Sequence, residues 1–133
     1  MLWQSKYETG NTQVDNEHKE IFMLVQNVIE ANFDYDENKI EETIDFLAKY
    51  TLNHFQNEEN LMEESGYPDR HIHINQHVNF VSQVLALRER VTNESDRTIN
   101  NTDIKNVIVN WLTDHVLGSD RIMADYYRKW ASK

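Results

Sequence analysis

An all-α fold, an up-down-up-down four-helix bundle with an extended N-terminal arm, is what this sequence predicts. The 133 residues include three glycines and one proline, so few places force a helix to break. Apolar residues recur at helical spacing in four separate stretches. Capping residues and short polar segments divide those stretches, as in a bundle whose neighbours run antiparallel. The length suits one domain, residues 1–133, with one core.

Residues 1–14, with Trp3, Tyr7 and Gly10, lack a helical period and read as the arm. The first helix is expected to start near Asp15, a good N-cap, and to end at 34–37. Its apolar positions are Ile21, Phe22, Val25, Val28 and Ile29. The second helix carries Ile40, Ile44, Leu47, Thr51, His54, Glu58 and Leu61 on one stripe, and Gly66 and Pro68 stop it. Asp69 is placed to cap the third, whose stripe is His73, His77, Phe80, Val84, Leu87 and Val91. The polar stretch 92–101 reads as a loop. Thr102 is placed to cap the fourth helix, with Ile104, Ile108, Trp111, His115, Ile122 and Tyr126 inward and Gly118 as a weak point.

This topology brings together the start of the first helix, the end of the second and the start of the third. His18, His54, Glu58, His73 and His77 then share a layer, and the returning fourth helix brings His115 and Asp120 to it. Five of the six histidines therefore lie on inward stripes. Burying them with a glutamate and no partners would cost several kcal/mol, about 1–3 for each group. A metal supplies the missing interaction.

His54 and Glu58, and His73 and His77, are i, i+4 pairs that project from one helix face. His115 and Asp120 are i, i+5, about 140° apart on an α-helix, too wide for one small ion but suited to either side of a two-metal cluster. Five imidazoles, two bridging carboxylates and one bridging oxygen fill all but one place around two octahedral ions. The open place is where a small molecule binds. Mixed nitrogen and oxygen ligation without sulfur suits iron, with manganese or zinc as alternatives.

Other residues receive plainer readings. His71 should be exposed. Glu59, Glu63 and Glu64 should form a solvated face. Met23, Met62 and Met123 read as packing, and Tyr126, Tyr127 and Trp130 as core and rim. The chain has no cysteine, which excludes disulfides, thiolate ligands and cysteine nucleophiles. A net charge of −10 argues against nucleic-acid binding. No apolar run approaches the ~20 residues that span a bilayer, so membrane insertion is not expected. The N-terminus has no signal-peptide pattern, and the expected location is cytoplasmic.

The seven candidate ligands occur as His18 in VDNEHKEIF, His54 and Glu58 in HFQNE, His73 and His77 in HINQH, and His115 and Asp120 in HVLGSD. In this order and context they resemble the haemerythrin family, over almost the whole chain. Trp3 and the GYP turn resemble its bacterial single-domain branch, the bacteriohaemerythrins. The resemblance implies two iron ions, oxo- or hydroxo-bridged and passing between Fe2+ and Fe3+, with O2 as ligand. It implies that His73, His77 and His115 hold the saturated iron, that His18 and His54 hold the iron with the open place, and that Glu58 and Asp120 bridge. It also implies an O2 pocket at Ile21, Phe55, Trp111, Leu112 and Val116, apolar positions that are equally readable as ordinary core.

The expected function is reversible O2 binding for carriage, storage or local delivery. The alternative is an O2 or redox sensor whose di-iron state is read by a protein partner. No signalling module accompanies the domain and the chain starts at Met1, which favours carriage or storage. A di-iron oxidase or peroxidase is the weaker reading, and no enzyme is expected. No Glu has His three residues later, and no HExxH occurs. Two carboxylates stabilise high-valent iron less than the larger number in oxidases.

Overall fold

The computed structural model of the protein describes residues 3–30, 37–92 and 105–133. Helix α1 is Thr12–Glu30, α2 is Glu37–Ser65 and α3 is Arg70–Thr92. The fourth helix, α4, runs over 105–131 in four segments. A π turn at Lys105–Val109 leads into the α-helical stretch Asn110–His115, a second π turn at Val116–Asp120 and the α-helix Arg121–Ala131. The backbone stays right-handed helical at Val109, His115, Val116, Asp120 and Arg121, so the run does not break at Gly118. There is no strand among the described residues, and the class is all-α.

The arm is tied down by side chains. After a 3-10 turn at Ser5–Tyr7, the backbone N–H and the hydroxyl of Thr9 each donate to Asp15 Oδ1 at 2.8 Å. Trp3, Tyr7 and Phe22 form an aromatic group, with Tyr7 edge-on to Phe22 at 4.9 Å between ring centres. Asp15 is therefore not the N-cap. Asn11 fills that role, its Oδ1 accepting the Val14 N–H at 3.0 Å, and Asp15 sits in the first turn holding the arm.

Helix α2 ends as its sequence requires. Gly66 takes φ +66°, the Gly66 N–H donates to Glu63 O and the Tyr67 N–H to Met62 O. That pair of bonds is a Schellman motif, and Met62 and Tyr67 pack together as its hydrophobic contact. The turn then delivers α3 antiparallel to α2. The expected first-helix end at 34–37, the loop beyond Thr92, the Thr102 cap and Ile104 lie outside the described residues. So do the side chains of Val28, Ile29, Ile40 and Val91.

Two apolar clusters lie on either side of a polar layer. The larger joins Ile21, Phe22 and Val25 of α1 to Ile44, Leu47 and Phe55 of α2, Phe80, Val84 and Leu87 of α3, and Ile108, Leu112 and Val116 of α4. The smaller holds Val14, Met62, Tyr67 and Met123, with Tyr126 against it. Late α1, early α2, late α3 and early α4 thus meet in one cluster, which fixes the up-down-up-down order.

Two expectations about inward residues are corrected. Ile122 is 61% exposed, while Met123 and Ala124 are buried. The π turn adds one residue to its turn of helix, so every later side chain is shifted by one position relative to an unbroken α-helix. Met23 is 59% exposed, because the inward face of α1 at that level is taken by Ile21, Phe22 and Val25.

Candidate metal centre

His18, His54, Glu58, His73, His77, His115 and Asp120 are all buried, each 5% exposed or less, and all meet between the two clusters. The i, i+4 spacing sets His54 above Glu58 on α2 and His73 above His77 on α3. On α4 the second π turn closes over five residues, so His115 and Asp120 overlie. His115 Nε2 lies 2.9 Å from Asp120 Oδ1. The separation of 140° read from α-helical geometry does not apply here.

The seven side chains form two groups that share both carboxylates. One contains Glu58, His73, His77, His115 and Asp120, the other His18, His54, Glu58 and Asp120, with one donor atom from each lying within 4.8 Å of the rest. Each carboxylate divides its oxygens between them. Glu58 Oε2 is 3.3 Å from His18 Nε2 and 3.1 Å from His54 Nε2, while Oε1 is 3.1 Å from His77 Nε2 and 3.5 Å from His73 Nε2. Asp120 Oδ2 is 2.9 Å from His18 Nε2, and Oδ1 is 3.0 Å from His73 Nε2.

These approaches are close but poorly directed. His18 Nε2, His54 Nε2, His73 Nε2, both Glu58 oxygens and Asp120 Oδ1 are buried without a hydrogen-bond partner. His77 and His115 bring two imidazole nitrogens to 3.1 Å of each other. A buried set of close donor atoms with this many orphans is one that a bound cation would satisfy. Each orphaned group would otherwise cost about 1–3 kcal/mol. Five imidazoles and two carboxylates, with no sulfur, are a donor set for iron.

Electrostatics follow from the same packing. Burial disfavours charge on His18 and His54, but Glu58 and Asp120 outweigh it, raising His18 and pushing His54 up to about 10 with help from Glu17. Burial likewise opposes charge on His73, and Asp120 and Glu58 carry it up to about 9. Burial, with the charges of His73 and His115, lowers His77. Burial would raise Glu58, but the charge of His54 and the close approach of the His18, His54 and His73 imidazoles hold it well below the usual carboxylate range. Asp120 is lowered too, because His115 and His18 overcome burial and the charge of Glu58.

Ile21, Phe55, Leu112 and Val116 are buried in the larger cluster, and Trp111 packs against it. Phe55 stacks on His77 at 3.8 Å between ring centres, and Trp111 on His115 at 4.4 Å. An open recess of about 240 Å³ between α2 and α3 is floored by Phe55 and His77. His71 is exposed, as are Glu63 and Glu64, and Glu59 is partly buried. Tyr126 packs on Tyr67, and Trp130 is at the rim, 37% exposed.

The structure adds residues that sequence reasoning missed. Glu17 Oε1 accepts from His54 Nδ1 at 2.8 Å, and Asn57 Nδ2 donates to Glu17 Oε2 at 2.6 Å. Glu59 Oε1 is 3.6 Å from His77 Nδ1. In sequence these are polar helix residues close to a candidate ligand, and nothing separates them from a solvated face.

The sequence profile described as the Hemerythrin HHE cation binding domain matches residues 9–127. The chain is 31% identical over 128 residues to a protein named Bacteriohemerythrin from Pseudomonas aeruginosa (strain LESB58), covering 96% of this chain and 82% of that protein. A Bacteriohemerythrin of Clostridium acetobutylicum is 26% identical, with 93% and 98% covered. A Hemerythrin-like protein of Naegleria gruberi is 30% identical, with 89% and 86% covered. Among solved structures, one titled as wild-type hemerythrin superposes with a TM-score of 0.85 at 24% identity, over 96% of this chain and 97% of that one.

Proposed function

Since the chain belongs to the haemerythrin family, we propose that it holds two iron ions in the buried layer and binds O2 reversibly there, as a carrier, store or local donor. The observation that carries this reading is the division of oxygens at Glu58 and Asp120, one toward each imidazole group. Carboxylates so placed would hold two cations between them. The group with three imidazoles would be saturated, and the group with His18 and His54 would keep the place for a ligand. Bound ferrous iron would supply both the affinity for O2 and the electrons that its binding draws on.

The protein's own contribution is positioning and exclusion of water. Phe55 and Trp111 lie flat on His77 and His115, which fixes the ring planes. Ile21, Leu112 and Val116 are buried apolar neighbours in the same cluster that present no hydroxyl or amide to carry protons inward. A dry site preserves reversibility, because water and protons promote irreversible oxidation. Two carboxylates among seven donors favour binding O2 over oxidising a substrate.

Anaerobic loading with ferrous iron, followed by air, tests the proposal through the visible spectrum and the metal count. Two irons per chain, and a colour that appears with O2 and fades under vacuum, are expected. Irreversible conversion with the same count would replace carriage by redox sensing. One iron or none would overturn the ligand set.

A further inference from the structure

Among the described residues, one imidazole of the layer has a carboxylate at hydrogen-bond distance behind it. His54 Nδ1 meets Glu17 Oε1 at 2.8 Å, while His54 Nε2 faces Glu58 Oε2 at 3.1 Å on the inner side. His18 Nδ1 is buried without a partner, and His77 Nδ1 is 3.6 Å from Glu59, beyond hydrogen-bond range. Glu17 is itself clamped, since Asn57 donates to its other oxygen at 2.6 Å. Both bonds cross from α1 to α2, and Glu17 precedes the ligand His18. One short segment of α1 thus provides a donor to the four-residue group and orients that group's other imidazole.

Resting on the di-iron reading, we infer that Glu17 is a positioning residue that sets retention and reduction potential at the metal held by His18 and His54. The bond fixes the proton of neutral His54 on Nδ1, which turns the Nε2 lone pair inward. It also places negative charge behind the ring, making the imidazole a stronger donor. The five-residue group has a third imidazole and no such support at this distance. The carboxylate therefore strengthens the centre that has fewer nitrogen ligands.

Glu17→Gln keeps the size and a hydrogen-bonding oxygen while removing the charge. In iron-loaded protein challenged with a chelator, one of the two metals should leave about 10–100-fold faster, in line with the loss of a carboxylate behind a ligating imidazole. The midpoint potential should rise, because the ferric state loses an anionic neighbour. Glu20→Gln makes the same charge change on the same helix, at a carboxylate bonded to Tyr50, and should shift neither reading. Wild-type release rates and potential in E17Q would overturn the inference, and so would equal acceleration of both metals at an unchanged potential. If E17Q does not fold, Asn57→Ala releases one oxygen of Glu17 and should accelerate the same metal severalfold; no acceleration overturns the inference. A wild-type chain holding fewer than two irons would instead overturn the parent reading.

Discussion

Glu58 and Asp120 belong to both donor groups, whereas each histidine belongs to one. Substitutions should divide accordingly. His54→Ala removes one nitrogen from the four-residue group and should lower metal content from two per chain toward one. Glu58→Gln withdraws an anionic donor from both groups and should lower it below one. Elemental analysis of folded, reconstituted protein checks both, and an equal deficit in the two variants would argue against a shared carboxylate. The gathering of the seven candidate ligands was legible at this scale because imidazoles on apolar stripes need a buried partner, and the stripes themselves supply none. Glu17 and Asn57 were not, since their role depends on how α1 is rotated against α2, which neither stripe encodes.

Helices α2 and α3 followed their stripes because each buried face is broad and regularly spaced. Phe80, Val84 and Leu87 are buried as the period requires, and so are Ile44, Leu47 and Thr51. Gly66 was equally legible, and its energetic role can now be measured. It sits at φ +66°, and a methyl group there would meet nothing within 4 Å. Gly66→Ala should therefore cost the backbone term alone, about 1–2 kcal/mol. That corresponds to a melting temperature lower by roughly 3–8 °C, by circular dichroism. An unchanged transition would mean that the Schellman turn contributes little to joining α2 and α3. The π turns were not legible, because a period of 3.6 is assumed when a stripe is drawn. Ile122 and the His115–Asp120 angle were misplaced by the same unit of phase.

The whole molecule carries a polar slab through its core, with apolar clusters on both sides. Four helices contribute to the slab, so cations bound there join elements distant in sequence. A ligand at 100 times its dissociation constant stabilises the folded state by about 2.7 kcal/mol per site. Two ferrous ions, or two cobaltous ions as a redox-silent substitute, should raise the melting temperature by roughly ten degrees or more. Excess chelator should reverse the gain, and a melting temperature indifferent to both would place metal binding outside the core. No helix among the described residues is long and apolar enough to cross a membrane.

The second π turn also changes what counts as a repeat. On α2, α3 and α4 the candidate ligand pair is the same device, two side chains stacked on consecutive turns, written with a spacing of four residues twice and five once. A pattern defined by residue number treats the third as an exception. A pattern defined by turns of helix treats all three as one word, with a surplus letter in the last. The spacing HVLGSD is therefore a local lengthening of the chain that leaves the chemistry of the pair in register.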